Sequence, residues 1–75
     1  MRKGLVLEDV KESQVWLESL LEKSFTHIEI VVYGNIADCK KAFLSYSPDI
    51  ALIDLGLPDG SGLEIIRQLK QQSPD

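Results

Sequence analysis

Residues 48–62 read Pro48-Asp49-Ile50-Ala51-Leu52-Ile53-Asp54-Leu55-Gly56-Leu57-Pro58-Asp59-Gly60-Ser61-Gly62, and this stretch decides the fold. Ile50 to Ile53 form an apolar, β-branched run of the length expected of a strand buried on both faces. The run ends in a carboxylate, Asp54. A Gly/Pro-rich loop follows, and Ser61 opens a helical pattern. Open α/β sheets place their chemistry at the carboxyl ends of buried strands, which makes Asp54 the first residue to explain.

The rest of the chain supplies matching elements. Leu5-Val6-Leu7 is a second short apolar run, closed by Glu8-Asp9. From Asp9 the period becomes helical: Val10, Leu17, Leu20, Leu21 and Ser24 share a stripe, with Trp16 at its margin. Phe25 and Thr26 end that helix. His27 to Tyr33 then alternate at strand period, with His27 and Glu29 on a wetter face. Gly34 breaks the strand. Asn35 can cap a second helix, with Asp38 three residues on, whose stripe is Ile36, Cys39, Phe43 and Tyr46. Ser47-Pro48 stops it. After the third strand, Ser61-Gly62-Leu63-Glu64 fits a capping box, and Ile65, Ile66 and Leu69 recur at helical spacing up to an end at Gln71 to Asp75. The order is strand, helix, strand, helix, strand, helix. Strands joined through helices are parallel, with right-handed crossovers.

Totals bound the possibilities. At 75 residues the chain makes one small domain. At about 0.05–0.15 kcal/mol per residue, its fold holds some 4–11 kcal/mol. Hydrophobic content of 44% and charged content of 27% are ordinary for a globular protein. A net charge of −4 argues against nucleic-acid binding by this segment, because phosphate contacts need a Lys/Arg surface. Cys39 has no partner for an internal disulfide, and no Cys/His zinc spacing occurs. No apolar run approaches about 18 residues, so no membrane span is expected. The apolar stretch after Arg2-Lys3 is cut short by Glu8, too soon for a signal peptide. The expected setting is cytoplasmic.

If the first and third strands are neighbours, Glu8, Asp9 and Asp54 converge at one sheet edge. Three carboxylates so close repel one another unless a cation lies among them. Mg²⁺ suits such a site: it takes octahedral oxygen ligands, keeps several waters, and needs only one or two carboxylates plus a carbonyl. Gly56 can supply that carbonyl, since a glycine lets backbone approach closely. A carboxylate beside such a metal can also act as a nucleophile toward phosphorus. Each residue alone has a plainer role. Asp9 with Glu12 is also a capping pattern, so Asp9 can cap, bind, or do both. Glu8 alone reads as a solvated strand end, and Asp54 as a turn residue. Asp59-Gly60 makes the loop's turn. His27 reads as surface, and Cys39 as a small hydrophobe. The combination of Glu8-Asp9 with Asp54-x-x-x-Pro58 is far more specific than its parts.

Leu5-Val6-Leu7-Glu8-Asp9 together with Pro48 to Glu64 resembles the receiver domain of bacterial two-component response regulators. The resemblance covers essentially the whole of residues 1–75, as the N-terminal part of a receiver. It implies a truncated flavodoxin-like (βα)3 unit, α/β, with parallel sheet order 2-1-3 and without strands 4 and 5. It implies that Asp54 is the phosphoacceptor for a histidine kinase. Glu8, Asp9, Asp54 and the Gly56 carbonyl become the Mg²⁺ ligands, and Pro58 and Gly62 shape the loop. The loop's wording is also similar to regulators with a C-terminal helix-turn-helix DNA-binding domain, which implies a transcriptional role.

The departure is the later Ser/Thr and Lys that contact the phosphoryl group in the family, together with an aromatic switch residue. None is in this chain. An alternative follows: a receiver-like interaction fragment without phosphoryl chemistry, self-associating through an open third-strand edge. An enzyme reading, an aspartate-nucleophile phosphatase, needs a second acid two residues after the first. Gly56 stands there instead.

Overall fold

The computed structural model describes residues 2–42 and 46–72. The elements run β1 (Arg2–Leu7), α1 (Lys11–Ser24), β2 (Ile28–Tyr33), α2 (Ile36–Ala42), β3 (Ile50–Ile53), β4 (Gly56–Leu57), β5 (Gly60–Ser61) and α3 (Leu63–Gln72). β1, β2 and β3 form a parallel sheet of order β2-β1-β3, as expected. Leu7 is in register with Tyr33 on one side and Ile53 on the other, so all three strands end together. β4 and β5 are a small antiparallel hairpin that the sequence reading did not anticipate.

The sheet separates two layers of helix. Alternate residues of a strand face opposite ways, and β1 uses both faces. Leu5 and Leu7 join Ile36 of α2, Cys39 of α2 and Ile65 of α3 in one buried cluster. On the other face, α1 packs Leu21 close over Gly4 and Ile28. β1 is the axis of the domain: Gly4 to Leu7 are all buried, and Leu5, Val6 and Leu7 are fully so.

Several boundaries differ from expectation. The N-cap of α1 is Val10, with no side-chain cap, so Asp9 does not cap the helix. The turn at residues 9–10 leaves Asp9 outside it, on the sheet's edge. Val10 and Leu20 are exposed although they lie on the expected stripe. α1 contacts β1 and β2, and its Trp16 lines a cleft with Leu52 and Ile53 of β3, whose outer side pairs with no further strand among the described residues. For the same reason the four residues of β3 are half-buried instead of buried on both faces. His27 precedes β2 in a left-handed turn conformation, φ 58°, and is exposed. Tyr46 is not helical. Its hydroxyl donates to the Gly4 carbonyl oxygen at 3.2 Å, tying the loop before β3 to β1. Phe43 and Ser73 to Asp75 lie outside the described residues.

The caps of α2 and α3 follow the sequence in part. Asn35 Oδ1 accepts from the Asp38 amide at 2.8 Å, the expected cap. α3 starts at Leu63, not Ser61, and the capping box is half formed. Ser61 Oγ accepts from the Leu63 amide at 3.2 Å, but Glu64 reaches Lys40 Nζ at 2.8 Å instead of turning back.

Cys39 is wholly buried, and that burial pushes its thiol up to about 11. A thiol held neutral reacts slowly, because the thiolate is the nucleophile. Native protein is therefore expected to resist an aromatic disulfide reagent at pH 8, and to react once unfolded in urea. The raised value also sets a pH window. The contribution of Cys39 to stability is full below the ordinary thiol value of 9.0 and is lost as pH rises towards about 11. Urea midpoints across that window, compared with Cys39→Ala, check the sign.

Candidate acidic functional site

The shared ending of β1 and β3 builds the site. Glu8 follows β1 directly, and its amide donates to the Tyr33 carbonyl oxygen at 3.0 Å. Asp54 follows β3, and its amide donates to the Leu7 carbonyl oxygen at 2.9 Å. Both carboxylates therefore leave the sheet at the same level. Glu8, Asp9 and Asp54 each offer an oxygen, and those oxygens lie within 4.8 Å of one another. Glu8 is buried, Asp54 is half-buried and Asp9 is exposed.

Crowding shows in the electrostatics. A hydrogen bond between the Glu8 and Asp54 carboxyls raises the proton affinity of Glu8, helped by burial and by the charges of Asp54 and Asp9; the Ser13 hydroxyl opposes it. The same bond holds Asp54 below the ordinary carboxylate range, with support from the Gly56 and Leu55 amides. The two carboxyls are thus pushed in opposite directions, Glu8 towards its protonated form and Asp54 towards its ionised form, and the ionised form is the one that can act as a nucleophile.

Surrounding groups fix the geometry. The Gly56 amide donates to Asp54 Oδ1 at 3.1 Å. No protein atom lies within 4 Å of where a Gly56 side chain would begin, so that side of the residue is open. Gln14 Nε2 donates to the Glu8 carbonyl oxygen at 2.6 Å and pins the turn after β1. Gly62 backs Asp54 from below: a side chain there would run into the Asp54 carbonyl oxygen. Beside the acids opens a cleft of about 460 Å³, lined by Glu8, Ser13, Trp16, Leu17, Leu52, Ile53 and Asp54.

Sequence reasoning missed Ser13, Gln14 and one role of Asp59. Ser13 and Gln14 sit one helical turn after Asp9 and Val10, a spacing that points them back at the acidic turn. Asp59 was read as a turn residue. Its carboxylate also accepts from the amides of Ile36 at 2.9 Å and Ala37 at 3.1 Å, a long-range cap that no local pattern reveals.

Known proteins resemble this chain in sequence and in fold. The chain is 62% identical, over 76 aligned residues, to the KDP operon transcriptional regulatory protein KdpE of Escherichia coli (strain K12), covering 97% of this chain and 32% of that protein. It is 31% identical over 70 residues to the aerobic respiration control sensor protein ArcB of the same organism, covering 93% of this chain and 9% of ArcB. Among solved structures, the MaeR response regulator bound to beryllium trifluoride superimposes with a TM-score of 0.82 at 33% identity, over 96% of this chain and 59% of that one. A CheY-like response regulator receiver domain from Methylobacillus flagellatus gives a TM-score of 0.80 at 28% identity, over 93% of this chain and 58% of that one. The relatives of this chain by sequence are response-regulator proteins, and its structural neighbours are receiver domains of the CheY-like fold. No protein-family model matches it. The receiver fold spans the chain in the order β2-β1-β3. The chain spans about three-fifths of the solved receivers and no more than a third of these two curated relatives. Among the described residues no helix is long and apolar enough to cross a membrane.

Proposed function

We propose that this receiver chain accepts a phosphoryl group on Asp54 from the phosphohistidine of a sensor kinase, and that it serves a transcriptional regulator. The observation that carries the reading is the convergence of Glu8, Asp9 and Asp54, with oxygens within 4.8 Å of one another. In the transfer, the N–P bond of the phosphohistidine breaks, an O–P bond forms to the Asp54 carboxylate, and the imidazole leaves. Gly56 orients Asp54 through Oδ1. Ser13 and Gln14 hold Glu8 beside it.

The donor set fits Mg²⁺. It is all oxygen, it is anionic, and its mutual repulsion is what a hard cation would relieve. Glu8, Asp9, Asp54 and the Gly56 carbonyl would hold the ion. When bound it offsets charge on the phosphoryl oxygens. The transcriptional role rests on the likeness to KdpE, a transcriptional regulatory protein by name. A hydrolytic role is disfavoured, because Gly56 occupies the position where a phosphatase would need its second acid. A cytoplasmic setting suits a partner of sensor kinases.

Incubation with Mg²⁺ and a small acyl phosphate tests the assignment. One phosphoryl group is expected on Asp54 by peptide mapping, and an adduct that persists in Asp54→Asn overturns it.

A second reading, self-association, rests on β3, whose outer edge pairs with no strand among the described residues. Two copies joined along β3 in antiparallel fashion would make one six-stranded sheet. Asp49 and Asp54 flank β3, so this pairing sets carboxylates near one another and is expected to strengthen with salt. Sedimentation at tens of micromolar is expected to show the dimer. A well-folded monomer at all salt concentrations overturns this reading.

A further inference from the structure

The hairpin after Asp54 is too small to hold itself. β4 and β5 are two residues each, paired Gly56 to Ser61 and Leu57 to Gly60. Isolated two-stranded hairpins are marginal at best in water, and this one has only two pairs. Yet it carries Gly56, whose amide holds Asp54 Oδ1 at 3.1 Å. Something must fix it from outside.

The described contacts supply the anchor. Asp59, at the hairpin tip, spends both carboxylate oxygens on α2. Oδ1 accepts from the Ile36 amide at 2.9 Å and Oδ2 from the Ala37 amide at 3.1 Å. These bonds bridge 22 and 23 residues of sequence. Next to it, Gly60 has φ +146° and lies so close to Ile36 that a side chain there would sit 3.0 Å from Ile36 Cδ1. Ile36 belongs to the buried cluster, and Leu57 of the hairpin packs against that cluster. The tip is therefore tied to a rigid part of the fold, while the base carries the amide that aims the acceptor.

We propose that Asp59 is a positioning residue for the acceptor site: by clamping the β4–β5 hairpin to the first turn of α2, it holds the Gly56 amide against Asp54. The plainer role is a helix cap alone. The two differ in what else moves. α2 has a second N-terminal cap, Asn35, whose Oδ1 takes the Asp38 amide at 2.8 Å without touching the hairpin. Loss of either cap weakens α2. Only loss of Asp59 frees the hairpin.

The inference rests on the acceptor reading of Asp54, so its test is made first without metal. Amide hydrogen exchange is followed by NMR in the whole chain, for Asp59→Ala, Asp59→Asn and Asn35→Ala. In Asp59→Ala, the Gly56 amide is expected to exchange about tenfold faster relative to the Leu5, Val6 and Leu7 amides, which report global unfolding. Asp59→Asn keeps one good acceptor oxygen and is expected to fall between. Asn35→Ala is expected to leave the Gly56 ratio unchanged. An unchanged ratio in Asp59→Ala, or an equal rise in Asn35→Ala, overturns the proposal. Mg²⁺ is then titrated against Trp16 fluorescence, because Trp16 lines the cleft that Asp54 also lines. Asp59→Ala is expected to weaken Mg²⁺ about tenfold, as loss of an outer support does at metal sites. An unaltered affinity in Asp59→Ala, where the wild-type chain binds, also overturns it. A wild-type chain that binds no Mg²⁺ and takes no phosphoryl group removes the acceptor reading, and the metal-free exchange ratio still decides the clamp.

Discussion

Asp54→Asn is expected to abolish the phosphoryl adduct and, in the absence of metal, to make the protein harder to unfold. The two effects have one cause. Glu8 is raised and Asp54 lowered because two carboxylates cannot both ionise at this distance without cost. An amide at position 54 can still accept from the Gly56 amide through its oxygen and can donate to Glu8 through its nitrogen. The hydrogen bonds survive and the repulsion goes. The nucleophile goes too, since an amide nitrogen or oxygen does not replace a carboxylate in attack on phosphorus. In chelator at pH 7, Tm is expected to rise by a few degrees.

The pH dependence follows from the raised proton affinity of Glu8. A group raised on folding contributes stability fully below its unfolded value, here the ordinary 4.5, and loses it as pH rises through the folded value. The advantage of Asp54→Asn is therefore expected above about pH 4.5 and should vanish below it. Mg²⁺ reverses the ranking at neutral pH. Ligands that bind the folded state stabilise it by mass action, and the wild-type chain keeps a carboxylate that the variant has lost. Thermal unfolding with and without Mg²⁺, at pH 4 and pH 7, reads all four cases. An Asp54→Asn chain that is less stable than wild type in chelator at pH 7 would falsify this account of carboxylate repulsion.

The same acids explain how far the sequence alone could be read. Apolar runs at residues 5–7 and 50–53, with helical periods between, define parallel strands, and each of these two runs ends in acid. That was enough to bring Glu8, Asp9 and Asp54 together on paper, and the register of Leu7 with Ile53 brings them together in space. What the sequence hid is whatever depends on tertiary distance. The period of α1 marks Leu20 as core, yet a stripe records only which side faces the sheet, not how far the sheet extends beneath it. Asp9 looks like a cap because capping is read from the next three residues. In fact the chain turns at residues 9–10, and α1 begins at Lys11 without a side-chain cap. Asp59 looks like a turn residue for the converse reason: its two partners, Ile36 and Ala37, stand far upstream. Local rules brought the three acids to one edge of the sheet. They could not show the long-range contacts that hold those acids still.

Gly62→Ala tests the most confined of those contacts and is expected to be the most damaging single change to the fold. A Cβ at Gly62 would run into the Asp54 carbonyl oxygen and lie 2.7 Å from Ile53 Cγ2. Neither partner can give way cheaply. The Asp54 amide is bonded to Leu7 at 2.9 Å, so its backbone is locked into the sheet. Gly62 is locked as well: its amide donates to the Leu55 carbonyl oxygen at 3.1 Å, and its own carbonyl accepts from Ile65 at 3.1 Å and Ile66 at 3.2 Å. The last two bonds start α3, which anchors the fully buried Ile65. An added methyl must push α3 off the cluster or push Asp54 out of line. Overpacking of this kind costs about 1–3 kcal/mol, and the upper end is expected because both walls are constrained. Against a total of some 4–11 kcal/mol, that leaves a marginal domain. Gly56→Ala is the matched control. Nothing lies within 4 Å of its Cβ position, so its cost is expected to stay within about 0.5 kcal/mol. Urea midpoints of the two variants in chelator separate them. Equal midpoints would mean that α3 does not seat on the backbone of Asp54, and that Asp54 is held by the sheet alone. If the packing is as described, whatever fraction of Gly62→Ala remains folded should also take phosphoryl poorly, because the displaced residue is the proposed acceptor.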